Sequence, residues 1–151
     1  MDTSSYMASQ ALDLLTKTYE VVDHRSTNSI ISWGHDNKSF IIWDPEGFEK
    51  FLLPYIFPPR NLGVYASYLK LYGVLKVESE QEWEFANDDF VRGQPELLEK
   101  ITDRFKIHSQ ALLACKTREE RFLLNKKRNE EWEKERLEKA LATDLQNQCD
   151  I

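Results

Sequence analysis

The sequence is poor in the residues on which several protein classes depend. It has only two cysteines, Cys115 and Cys149, far apart in a charge-rich region. That excludes a disulfide framework and predicts reduced thiols in an intracellular protein. Its five glycines are scattered and form no phosphate-cradling loop. The three histidines, His24, His35 and His108, have neither metal-ligand spacing nor a neighbouring cysteine, so neither a metal nor a cofactor is expected. No apolar run reaches the roughly 18–20 residues of a membrane helix, and no membrane partner is expected. The opening MDTSSYMASQ has no basic cluster leading into an apolar stretch, so a secretory signal is not expected. No nucleophile motif is present. Glu80, Glu82 and Glu84 alternate as if on one strand face, but paired catalytic carboxylates need a pocket that splits their environments. An exposed acidic hairpin is the simpler expectation, and an enzyme is not expected. An excess of positive charge is missing too. The formal net charge is −6; residues 1–101 hold 9 Lys+Arg against 16 Asp+Glu, and residues 102–151 hold 11 against 10. An acidic globular part has the wrong sign for a generic phosphate binder.

What is present is enough apolar material for a core: 41% hydrophobic and 12% aromatic residues. The length of 151 residues suits one domain plus an extension. Residues 1–10 are expected to be flexible. Leu12, Leu15, Tyr19 and Val22 fall at helical spacing and predict a helix over 11–22. Residues 29–33 and 38–43 are β-rich runs joined by a Gly34-His35-Asp36-Asn37 hairpin loop. Asp44-Pro45 then opens a second helix with an N-cap and a first-turn proline; Phe48, Phe51 and Leu52 form its apolar stripe and Pro54 stops it. Pro58 and Pro59 break the chain before a third helix, from about Leu62 to Tyr72, which Gly73 ends. Residues 74–77 and 82–85 predict two short strands around an acidic turn, a wing. Phe90 and Val91 tuck back onto the core, and Pro95 starts a helix that docks Leu97, Leu98 and Ile101.

This order of elements is a winged helix-turn-helix. Five blocks, TKTYEVVD (16–23), SIISW (29–33), FIIWDPEGFEKFLLP (40–54), LYGVLKV (71–77) and WEFANDDFVRGQPELL (83–98), resemble successive blocks of the heat-shock transcription factor DNA-binding domain, over residues 11–101. The short turn between Val77 and Trp83 resembles the family's plant members. The resemblance implies an α+β fold, three helices against a small four-stranded antiparallel sheet. Its matching positions are mostly interior ones: Trp33, Phe40, Trp43, Phe48, Leu52, Phe57, Leu69, Tyr72, Trp83 and Phe85.

The third helix departs from that pattern. In this fold it lies in the major groove. At 100° per residue, Leu62, Tyr65, Ala66, Leu69 and Tyr72 share the inward face, and Gly63, Val64, Ser67, Tyr68, Lys70 and Leu71 point outward. The resemblance implies that the position of Ser67 carries a guanine-reading arginine in the family, that Tyr68 replaces a glutamine and that Lys70 replaces an asparagine. The family's Lys-His-Asn before the helix is matched by Pro58, Pro59 and Arg60; Asn61 alone of that patch is retained. Arginine reads guanine through two parallel donors, worth roughly 1–3 kcal/mol of discrimination. A serine at the same Cα is several ångströms too short, and Val64 and Leu71 can meet only a thymine methyl. The candidate DNA-contacting residues are therefore Arg60, Asn61, Val64, Ser67, Tyr68, Lys70, Leu71 and Lys76, with Glu78, Glu80, Glu82 and Glu84 opposing the backbone from the wing.

From Thr102 the chain is charge-rich, with neither Gly nor Pro, and Glu130–Lys134 and Glu135–Lys139 are favourable helix pairs. Phe122, Trp132, Leu137, Leu141 and Leu145 recur but hold no sustained heptad, so 102–151 predicts a charged helical extension, monomeric or weakly self-associating. Lys126-Lys127-Arg128 fits a solvated face better than an import signal. Two functions follow. One is a nuclear regulator of transcription that binds double-stranded DNA with weakened or altered specificity. The other is a truncated relative that acts by binding full-length heat-shock factors or other nuclear proteins. In either case no activation region is expected within these residues.

Overall fold

The computed structural model describes residues 3–58 and 60–149, except the side chains of residue 140 and residues 143–149. Met1, Asp2, Pro59 and the side chains of Leu145 and Cys149 lie outside the described residues. Helix α1 runs from Thr3 to Asp23, strand β1 from Ile31 to Trp33 and strand β2 from Ser39 to Ile42. Next, α2 is a continuous helical stretch in three pieces: Pro45–Gly47, a π turn over Phe48–Leu52, and Leu53–Ile56. Helix α3 spans Leu62–Tyr72, β3 Leu75–Lys76 and β4 Glu84–Ala86; after a 3₁₀ turn at Pro95–Leu97, α4 spans Leu98–Ala114 and α5 Arg118–Cys149. The sheet is antiparallel in the order β1-β2-β4-β3. This is the winged helix-turn-helix that the order of elements predicts. None of the described helices is long and apolar enough to cross a membrane.

Helix α1 begins well before residue 11, and most of residues 1–10, expected to be flexible, are helical. Ser4 is buried and Met7 packs against the core, so the inward stripe of Ala11, Leu14, Leu15, Thr18 and Val22 extends one more turn towards the N-terminus. Thr18 is polar yet fully buried. Its hydroxyl donates to Leu14 O at 2.9 Å, and Tyr65 Oη lies 2.7 Å away. One hydroxyl has one proton, so Tyr65 is the donor of that second bond. Tyr19 donates to Val91 O at 2.9 Å and packs its ring on Trp33 and Phe90.

Asp44 caps α2 as expected, accepting from Gly47 N at 3.0 Å. A Cβ on Gly47 would come within 2.3 Å of that carboxylate, so the cap and the glycine require each other. Pro54 does not stop the helix. Leu53 N donates to Phe48 O, one residue further back than in an α-helix, and this π turn lets Pro54 enter as an early position of the next helical piece, where its missing N–H costs little. The chain leaves helical geometry at Phe57. The same turn changes which side chains face inward: Phe48 and Leu53 are fully buried, whereas Phe51 is 65% exposed. Trp43 is likewise 47% exposed, its indole donating to Ser32 Oγ at 2.8 Å. Both differ from the expected interior placement.

Residues 102–151 are not one extension helix. Helix α4 continues past Ile101 and buries Thr102, Phe105 and Ser109; residues 115–117 interrupt the helix before α5. The chain divides into two compact units, Met1–Ser109 and Gln110–Ile151.

Candidate nucleic-acid interface

Helix α3 has the bounds that its sequence predicts, Leu62 to Tyr72 with Gly73 at its end. Asn61, in extended conformation, accepts from Val64 N at 3.0 Å as the N-cap. At the other end Gly73 has φ 95°, and Gly73 N donates to Lys70 O and Val74 N to Leu69 O. This is a Schellman ending, which needs the left-handed residue that glycine supplies. Asn87 from the far side of the wing donates to Gly73 O at 2.8 Å and ties β4 to the helix end. Leu62, Tyr65, Leu69 and Tyr72 are buried and anchor α3 on the core.

The predicted site residues do not all share one face. Arg60, Asn61, Val64, Ser67, Tyr68 and Lys70 are exposed along α3 and its entry, and Lys76 is exposed on β3. Arg60 takes a left-handed φ of 55°. Leu71 is the exception: it is half-buried and packs against the core. Ser67 Oγ donates to Gly63 O at 3.1 Å, so its single proton is spent within the helix. Asn61 Oδ1 is spent on the cap. Tyr68 is 40% exposed, and its ring leans on Phe57 at 5.1 Å and Tyr72 at 6.1 Å between centroids. Tyr72 in turn meets Phe105 edge-on at 4.8 Å. Burial pushes the Tyr72 phenol up to about 12, with a smaller push from Tyr68.

On the wing, Lys76 Nζ sits over the Trp83 ring, 5.1 Å from its centroid. Glu78, Glu80 and Glu82 are exposed there. Glu84 is not part of that acidic surface: it is half-buried in β4 and accepts from Ser39 Oγ at 2.6 Å. The sequence therefore overstates the acidity of the wing by one residue, and the three alternating glutamates share no strand face, since Glu84 alone lies in a strand.

Glu49 was not foreseen. From α2, its Oε2 accepts from Leu62 N, the first N–H of α3, at 3.0 Å. No sequence signal marks this contact, because the partner is a main-chain group 13 residues away. Among the described residues, no group of three or more His, Cys, Asp or Glu side chains is placed to hold a metal.

The HSF-type DNA-binding family model matches residues 14–104. The chain belongs to the HSF-type DNA-binding family. Heat stress transcription factor A-4a of Arabidopsis thaliana is 52% identical over 98 residues, covering 65% of this chain and 24% of that protein. Factor A-4c of the same plant is 39% identical over 151 residues, covering 98% of this chain and 43% of that protein. The chain thus spans less than half the length of these relatives. Among solved structures, Chaetomium thermophilum Skn7 with HSE DNA matches with TM-score 0.54 and 28% identity, covering 58% of this chain and 96% of that one. The same protein with SSRE DNA matches with TM-score 0.53 and 26% identity, covering 59% and 96%. This HSF-type domain therefore resembles a protein of the same fold solved with DNA.

Proposed function

We propose that this HSF-type chain is a nuclear, DNA-binding regulator of transcription whose α3 docks on duplex DNA but reads its sequence weakly. The observation that carries the proposal is the outward face of α3. It has the caps expected of a groove-reading helix, yet offers Val64, a self-bonded Ser67 and a Tyr68 tilted against Phe57 where bidentate donors would read bases. Arg60, Lys70 and Lys76 supply phosphate attraction, which is largely indifferent to sequence. Exposed Phe122, Leu123, Leu137 and Leu141 on α5 favour a second reading, in which full-length heat-shock factors or other nuclear proteins bind this chain.

Fluorescence anisotropy with a duplex of inverted nGAAn repeats and a scrambled duplex tests the first reading. Micromolar binding is expected, with less than about tenfold preference for the repeats. Ser67→Arg restores a bidentate donor and should widen the preference by roughly 5- to 100-fold. Nanomolar binding of the repeats with a thousandfold preference would overturn the weak-reader assignment. No binding to either duplex at low salt would overturn DNA binding itself.

A further inference from the structure

A helix N-terminus gathers unpaired N–H groups and the positive end of the helix dipole, and both attract anions. At α3 this end is already served from within the chain. Asn61 Oδ1 takes Val64 N, and Glu49 Oε2 takes Leu62 N, each at 3.0 Å. The two acceptors differ in kind. The asparagine is neutral, whereas Glu49 brings a carboxylate across from α2. Glu49 is exposed, so its charge faces solvent at the mouth of the turn between the two helices.

In a docked helix-turn-helix, the leading end of the second helix enters the groove while the first crosses the phosphate backbone. In that arrangement a carboxylate pinned where the two helices meet would lie close to the path of a phosphate. We infer that Glu49 is an affinity-limiting residue. It occupies the anion-attracting end of α3, repels the backbone of any duplex, and fastens α2 to α3. Because it faces phosphates and not base edges, it lowers affinity without changing preference. The inference rests on the proposed DNA binding and is tested so that the two can fail separately.

The test is anisotropy of the full chain, its Glu49→Gln and Glu49→Ala variants, and Glu46→Gln as a control that removes one charge elsewhere on α2. Both duplexes are used, at about 50 and 300 mM salt. Glutamine keeps a carbonyl acceptor of the same reach. Glu49→Gln should bind both duplexes roughly three- to tenfold more tightly at the lower salt, less so at the higher, with the ratio between duplexes unchanged. Glu49→Ala should show the same gain with a lower Tm, since it also loses the helix contact. A purely structural role predicts the lower Tm without any gain in binding. Unchanged or weakened binding by both Glu49 variants, or an equal gain from Glu46→Gln, would overturn the inference while leaving DNA binding intact. If neither the parent chain nor any variant binds a duplex, the proposed function falls and this inference falls with it.

Discussion

Tyr65 shows how one residue joins sequence, core and stability. It sits at an inward position of α3, has no exposed surface, and spends its proton on Thr18 of α1. Tyr65→Phe keeps the ring packing against Phe48 and Phe57 and removes only that bond, for an expected loss of about 1 kcal/mol in urea unfolding. Burial raises the Tyr65 phenol far above its usual range, and it raises Tyr72 to about 12. The sign follows directly. In the unfolded chain these phenols ionise near their ordinary value of 10.0, while in the folded chain they stay protonated, so the native state binds more protons. Stability is therefore fully present below pH 10 and declines as pH climbs from there through the folded values. Thermal unfolding between pH 9 and 12 checks this, and Tyr65→Phe should decline less steeply across that span. Sequence spacing places Tyr65 inside; it cannot name Thr18 as the acceptor, because that pairing joins residues 47 positions apart.

At the scale of elements, the signals that worked were local ones. Asp44 before Pro45 and Gly73 after Tyr72 each act within a few residues of the helix end they set, whereas the Asn61 cap, equally local, reads in the sequence only as a DNA contact. Asn61→Ala removes the cap on Val64 N and should cost about 1 kcal/mol in chemical denaturation. The misread element is α2. A proline at position 54 ends a regular α-helix, and the stripe Phe48, Phe51, Leu52 assumes regular periodicity. The stop at Pro54 and the inward placing of Phe51 fail for one reason, while Phe48 and Leu52 do face the core: the π turn over Phe48–Leu52 adds a residue to the turn, which carries the helix past Pro54 and rotates Phe51 outward. Substituting Phe51 with serine should therefore change stability by less than about 0.5 kcal/mol, whereas Phe48→Ala should cost roughly 3–5 kcal/mol. A π turn has no residue code of its own, so sequence periodicity could not announce it.

For the whole molecule, the fold was legible because aromatic and aliphatic residues recur in the order that a winged helix-turn-helix requires. The candidate interface was legible in its exposed positions and less so in its chemistry. Ser67 bonding back to Gly63, Leu71 turning inward and Glu49 reaching Leu62 all depend on main-chain atoms or on neighbours distant in sequence. The edge of the compact part also lies further along than residue 101. Phe105 is buried against Tyr72, and Ser109 closes the same unit. A chain ending at Ala114 should unfold in one transition with a Tm within a few degrees of the whole, while one ending at Ile101 should lose more than about 10 °C in a calorimetric scan.

The lysine resting on Trp83 makes the wing self-reporting. Phosphate that draws the Lys76 ammonium group away alters the electric field over that indole, and the colour and intensity of its ultraviolet emission should change with it. Trp33 and Trp43 are held by hydrogen bonds to Asp23 and Ser32, and Trp132 lies beneath Arg128, so their light should form a steadier background. A duplex titration followed at the tryptophan wavelength, silent once Trp83 is replaced by phenylalanine, would then need no attached dye.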